Sequence, residues 1–116
     1  MLTLAQLLQR HGQPQHGAPY AQSAIEQQLS VIPEWQCKDG ALQRSYSFKN
    51  YYETIAFVNA LAFMVHHEDH HPDLQVGYNR CEVRFNTHSI GGISENDFIS
   101  AAKAEAIYKL QFTATN

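Results

Sequence analysis

Cysteine is scarce in this chain: 116 residues carry only Cys37 and Cys81, with no CxxC spacing between them. Two isolated cysteines read as small core residues in a reducing compartment rather than as a disulfide framework. Lysine and arginine never form a run, and the formal net charge is -3. That argues against nucleic acid or an anionic membrane as a partner. No basic segment leads into a long apolar run at the start, and no stretch approaches transmembrane length, so neither a signal peptide nor a membrane span is expected and a cytoplasmic location is the default. Charged residues are few as well, at 16%, against 44% hydrophobic. The chain is globular rather than disordered, and its length suits one domain with a real core.

Residues 1–21 read as a peripheral arm. Leu4, Leu7 and Leu8 suit a turn or two of amphipathic helix, and Gly12, Pro14, Gly17 and Pro19 then interrupt any regular pattern. The folded domain is expected over 22–116. Ser23 and Glu26 have capping-box spacing, Ile25, Leu29 and Ile32 follow at helical intervals, and Pro33 ends the helix. Trp35 and Cys37 alternate inward, Asp39-Gly40 is a hairpin turn, and Leu42, Tyr46 and Phe48 alternate on the return. Asn50 caps the longest helix, with Glu53 at its third position. Tyr51, Ile55, Val58, Leu61, Ala62 and Val65 make one apolar stripe, and Phe57, Ala60 and Met64 a second. A helix apolar on two sides is covered on two sides, here by the sheet and by either a neighbouring helix or a second subunit. After Pro72 the period becomes two: Leu74, Val76 and Tyr78, a turn at Asn79-Arg80, then Cys81, Val83 and Phe85. Gly91-Gly92 breaks the strand, Ser94 and Asp97 form a second capping box, and Ile99, Ala102, Ala106 and Leu110 give the last helix its inner face. The order α-β-β-α-β-β-α predicts an α+β fold: an antiparallel four-stranded sheet with three helices packed on one face.

Five of the seven histidines lie between positions 66 and 88, four of them in His66-His67-Glu68-Asp69-His70-His71 directly before Pro72. Histidine is the side chain whose ordinary pKa lets it exchange protons near neutrality, so the cluster is a proton-transfer site or a metal site. His67-Glu68-x-x-His71 satisfies HExxH, the string of zinc hydrolases, which needs both histidines on one helical face. Pro72 disfavours helical geometry at His71, and no third ligand stands at the usual spacing unless His88 serves. For metal-free proton transfer, His70, His71 and His88 can converge at the open end of the second hairpin, with Asp69 to orient one ring. Plainer readings stand beside these. His11 and His16 are solvated surface residues, and His67 is open between that and a function. Asp97 is a helix cap, Glu68 a solvated charge, and Trp35 a core or hairpin anchor.

Glu68-Asp69-His70-His71-Pro72-Asp73, Val76-Gly77-Tyr78-Asn79, Thr87-His88 and Gly92-Ile93-Ser94-Glu95-Asn96-Asp97-Phe98 with Ala101-Ala102 together resemble the pterin-4a-carbinolamine dehydratase family. Phe48-Lys49-Asn50-Tyr51 and Ala60-Leu61-Ala62-Phe63 resemble its strand-to-helix segment, and the likeness covers roughly residues 22 to 108. It implies an α+β fold of antiparallel strands with three helices. It also implies dehydration of 4a-hydroxytetrahydropterin to quinonoid dihydropterin, which recycles the pterin of aromatic amino-acid hydroxylases without metal or organic cofactor. By the same likeness His70 and His88 are the principal acid/base histidines, and His71 is their companion in substrate binding and proton transfer. Asp69, Thr87 and Asp97 line the substrate site, as does His66, which stands where many members have glutamate. A homodimer or homotetramer is expected. The alternatives are an interaction or dimerisation module for a regulatory partner, since the family includes a dimerisation cofactor of a transcription factor, and the zinc hydrolase.

Overall fold

The computed structural model describes residues 1–112, so the end of the expected domain, 113–116, lies outside the described residues. In chain order the elements are α1 (Leu4–Gln9), α2 (Gln22–Leu29), β1 (Gln36–Lys38), β2 (Ala41–Ser47), α3 (Tyr51–Glu68), β3 (Asp73–Val76), β4 (Arg80–Phe85) and α4 (Glu95–Gln111), with a single 3-10 turn at His88–Ile90. The four strands form one antiparallel sheet in the order β1-β2-β4-β3. The α+β architecture is as expected, with a fourth helix, α1, added at the start.

Each hairpin is set by its turn. Asp39 and Gly40 both adopt positive φ, 52° and 77°, the two-residue geometry whose twist matches the flanking strands. They close Lys38 onto Ala41. In the second hairpin the turn lies one residue earlier than expected: Arg80 is already in β4, and its carbonyl accepts from Gly77 N–H at 2.7 Å. The central pairing, β2 with β4, puts Leu42 opposite Phe85 and Tyr46 opposite Cys81. These side chains lie in the core beneath α3 and α4. Leu74 and Val76 face the same way from the edge strand β3, but the helices do not reach that far and both stay exposed.

Several local expectations are corrected. Ala21, not Ser23, is the N-cap of α2, and it makes no side-chain cap bond. That helix ends at Leu29, four residues before Pro33, and Ile32 is buried from the turn beyond it. Along α3 the buried row is Thr54, Phe57, Leu61, Val65 and Glu68. Phe57 therefore faces the core and Tyr51 does not. Thr54 joins the buried row unforeseen, because its hydroxyl proton is shared between the carbonyls of Asn50 and Tyr78, each 2.9 Å away. On α4 the inner face is Phe98, Ile99, Ala101, Ala102 and Ala104, while Ala106 and Leu110 are exposed.

Within the first twenty residues Leu7 is buried and Leu2, Gly12, Gln15 and Tyr20 are half-buried, while the others are exposed. Thr3 forms a capping box with Gln6, and Leu7 is fully buried where α1 meets α4. Burying such a side chain contributes about 1.5–3 kcal/mol, enough to hold a short helix that would not persist alone. Tyr20 stacks on Phe98.

One buried polar cluster ties α4 to the sheet. Glu105 accepts from Trp35 Nε1, Tyr46 Oη and Arg44 Nε at 3.0 Å each, and its second oxygen accepts from Arg44 Nη2 at 3.0 Å. Burial and the adjacent carboxylate push the Tyr46 phenol far above its ordinary range. Nothing in the α4 periodicity distinguishes this buried glutamate from a solvated one.

Candidate active site

The end of α3 decides how the histidines are arranged. The helix stops at Glu68, and Asp69 takes the left-handed conformation, φ 52° and ψ 44°. The chain leaves the helix at that residue, so His70 is no longer part of α3. His66 and His67 therefore stand on the last turn, whereas His70 and His71 lie in the extended segment that enters β3. His67 and His71 are not one turn apart on a helix, and the HExxH geometry is not formed. Glu68 is also not a solvated charge. It is buried, accepting from Lys103 Nζ at 2.6 Å and Gly12 N–H at 2.7 Å, with His11 Nδ1 at 3.3 Å. Burial pushes its pKa up, but those hydrogen bonds and the Lys103 charge outweigh burial and leave it below the usual carboxylate range.

His70 is held by a different carboxylate. Its Nε2 lies 2.6 Å from Asp97 Oδ1, and its ring stacks on Phe85 with centroids 6.0 Å apart and planes 12° from parallel. Asp97 is fully buried. Its Oδ2 accepts from Thr87 Oγ1 and from Ser94 N–H, both at 2.8 Å, while Ser94 Oγ caps α4 and lies 2.7 Å from Thr87 Oγ1. The expected cap role of Asp97 is thus met by one oxygen while the other holds the imidazole. An N–H donated from Nε2 to the carboxylate leaves Nδ1 as the ring nitrogen free to exchange a proton with a ligand.

Two pockets meet at Asp69 and His70. One, of about 300 Å³, is lined by Ala62, Val65, His66, Asp69, His70 and His71. The other, of about 260 Å³, lies between His70, Thr87 and Ser89 on one side and residues 12–15 on the other. The structure therefore brings together His66, Asp69, His70 and His71 around one opening, and joins Thr87 and Asp97 to His70 by hydrogen bonds. His88 sits directly after Thr87, exposed, on the 3-10 turn and outside both pockets. The wall made by residues 12–15 is not foreseen from the sequence. Its one signal is Gly12, which stands in a segment whose glycines and prolines suggest only a peripheral arm. A larger apolar groove of about 800 Å³ runs between α3 and α4, lined by Phe63, Met64, Ile107 and Leu110 among others. Its walls carry His11, His67 and Glu68 but none of the His70–Asp97 assembly. Among the described residues no three His, Cys, Asp or Glu side chains are grouped to hold a metal ion, and no described helix is long and apolar enough to cross a membrane.

Comparison with known proteins places this geometry in context. The sequence model of the family described as Pterin 4 alpha carbinolamine dehydratase matches residues 18–107. A protein of Bdellovibrio bacteriovorus, provisionally named a pterin-4-alpha-carbinolamine dehydratase, is 51% identical over 97% of this chain and 96% of its own length. One of Chromobacterium violaceum with the same provisional name is 50% identical over 89% of this chain and 96% of its own. Among solved structures, a transcriptional coactivator/pterin dehydratase from Brucella melitensis superposes with a TM-score of 0.74 at 33% identity, covering 77% of this chain and 97% of that one.

Proposed function

The chain belongs to the pterin 4 alpha carbinolamine dehydratase family, and on that premise we propose that it dehydrates 4a-hydroxytetrahydropterin to quinonoid dihydropterin by imidazole acid/base catalysis. The observation that carries the reading is the His70–Asp97 pair, locked by Thr87 and Ser94 at the junction of the two pockets.

The reaction breaks the C4a–O bond and removes the N5 proton. The hydroxyl leaves as water once an acid has given it a proton, the N5 lone pair forms the C4a=N5 double bond, and a base accepts the N5 proton. One proton enters and one leaves, so imidazoles suffice. His70 is the base in this scheme. The buried Asp97 carboxylate fixes its orientation and stabilises the imidazolium that forms on proton uptake. The proton for the departing hydroxyl comes from a second imidazole, His88 by family resemblance. His71, in the same pocket as His70, binds substrate and relays protons. His66 and Asp69 line the space for the pterin ring, and Thr87 acts through Asp97. Product that regains aromatic-hydroxylase competence after reduction would make the protein a recycling enzyme.

The zinc-hydrolase alternative loses its basis where α3 stops at Glu68 and that glutamate pairs with Lys103. The interaction-module alternative draws on the Brucella neighbour, which is described as a transcriptional coactivator as well as a pterin dehydratase. The presence of His70, His71 and His88, with one imidazole held by a buried carboxylate, favours an enzyme. Purified protein mixed with synthetic 4a-hydroxytetrahydropterin and followed by ultraviolet absorbance tests the proposal: dehydration faster than the spontaneous rate supports it, and an unchanged rate overturns it.

A further inference from the structure

Glu68 and Lys103 are ionisable side chains that the dehydration scheme leaves unused, yet both are withdrawn from solvent. They are 3% and 14% exposed, and Lys103 Nζ lies 2.6 Å from Glu68 Oε2. Lys103 Nζ also donates to the Arg10 carbonyl at 2.7 Å, and Gly12 N–H donates to the other Glu68 oxygen at 2.7 Å. A Cβ at Gly12 would run into the Glu68 carbonyl oxygen. The arm thus lies directly on the end of α3, where glycine permits so close an approach.

The place of the pair in the chain ties it to the proton-transfer histidine. Glu68 is the last residue of α3, and only Asp69 separates it from His70. That short link is bound back onto the helix: Asp69 N–H donates to the His66 carbonyl and His70 N–H to the Val65 carbonyl, both at 3.2 Å. The His70 backbone therefore moves with the last turn of α3. Lys103 and Asp97 both stand on α4, about 9 Å apart along its axis at 1.5 Å per residue. The end of α3 reaches that helix twice, through Glu68 to Lys103 and through His70 to Asp97. A single contact permits pivoting about it, and a second one set apart from the first removes that freedom.

Stability alone gives a poor account of this ion pair. Taking two charges out of water costs about as much as their attraction returns, and apolar side chains of similar volume would hold α3 against α4 as firmly. Apolar contact lacks direction, however, whereas a charge-assisted hydrogen bond has one preferred geometry.

We infer that Lys103, acting through Glu68, is a positioning residue: it locks the last turn of α3 on α4 so that the His70 imidazole meets the Asp97 carboxylate. For the reaction, the inference rests on the dehydratase reading. The geometry it asserts also has a readout that needs no substrate. The His70 Nε2 proton, held between a ring 12% exposed and a carboxylate with no exposure, should give a proton resonance far downfield of the amides, identified by its absence in His70→Ala.

The test compares the wild type with Glu68→Gln/Lys103→Met, which leaves no buried charge unpaired and keeps an acceptor for Gly12. The double variant should be folded by circular dichroism. Its downfield resonance should be shifted or broadened away, and its kcat for dehydration should fall about tenfold with KM within about twofold, as for a displaced rather than a missing catalytic group. Lys103→Arg, which keeps the cation, should retain the resonance and most of kcat. Glu68→Gln alone should move both readouts in the direction of the double variant, and it decides the matter if the double variant does not fold. A resonance that is absent from the wild type, or unchanged in the charge-removing variants, would overturn the inference whatever the rates do. No wild-type rate above the spontaneous one would overturn the dehydratase reading instead, and the resonance would still decide whether Lys103 positions His70.

Discussion

The Nε2 of His70 lies 2.6 Å from Oδ1 of Asp97, a carboxylate with no solvent exposure whose other oxygen is bound to Thr87 and to the first turn of α4. The imidazole is thereby fixed to a helix N-terminus rather than only to the extended chain on either side of it.

Asp97→Asn keeps the size of the side chain and removes its charge. The amide can still cap α4, but it no longer stabilises an imidazolium. Its kcat/KM for dehydration should fall by about 10²-fold, the scale of a lost or misoriented acid/base group. Thr87→Val, which removes only one donor to Asp97, should cost less. Steady-state kinetics with the spontaneous rate subtracted decides the order of the two.

Removing Glu105 should be among the most destabilising single changes. It leaves the Arg44 guanidinium, the Trp35 indole N–H and the Tyr46 hydroxyl without the acceptor that they share. Breaking a buried ion pair on one side costs about 3–5 kcal/mol. In a domain of this size that lowers Tm by roughly 10 °C or more. Glu105→Ala measured by differential scanning calorimetry should show it, with any remaining native protein still active, because the cluster lies outside the two pockets.

Glu68 gives the fold an acid sensitivity of defined sign. Its pKa in the folded protein lies below its ordinary value, because Lys103, Gly12 and His11 favour the ionised form over the opposing effect of burial. The unfolded chain therefore takes up this proton first as pH drops. The stability that Glu68 contributes is fully present above the ordinary glutamate pKa of about 4.3 and is lost as pH falls through the lower folded-state value. Urea denaturation between pH 6 and pH 3 (about the carboxylate range) should show a shallower loss for Glu68→Gln than for the wild type, from a lower starting stability.

The groove between α3 and α4 leaves Phe63 and Leu110 largely uncovered, at 69% and 79% exposed. Apolar surface of this kind marks an interaction site more often than a solvated one. Size-exclusion chromatography with light scattering should give a dimer or tetramer, and Phe63→Glu should shift it toward monomer. An unaltered assembly in that variant would put the contact elsewhere.

What the sequence disclosed depended on whether a residue's role is local. Asp39-Gly40, Asn50 with Glu53, and Ser94 with Asp97 act through their own backbone, and the turn and both helix starts form where their spacing predicts. Roles that need a partner far along the chain stayed hidden. Glu105 and Glu68 carry the same side chain as any surface glutamate, and only the folded arrangement brings Arg44 to one and Lys103 to the other. Thr54 broke the α3 stripe for the same reason, since its hydroxyl is satisfied by the Tyr78 carbonyl 24 residues away. The packing of the arm was hidden because glycine and proline mark the absence of regular structure, not the absence of contacts. At the site, the histidine cluster and Pro72 were legible as chemistry, but the carboxylate that holds His70 sits 27 residues downstream and its spacing suggested chiefly a cap.

The central claim is that His70 carries the proton transfer, and the pre-steady-state or steady-state rate of 4a-hydroxytetrahydropterin dehydration by His70→Ala tests it most directly. With His16→Ala, an exposed histidine that lines neither pocket, as the matched control, kcat/KM should be lower by about 10²-fold or more for His70→Ala and unaltered for the control. A His70→Ala protein that is folded by circular dichroism and dehydrates the pterin as fast as the wild type would contradict it.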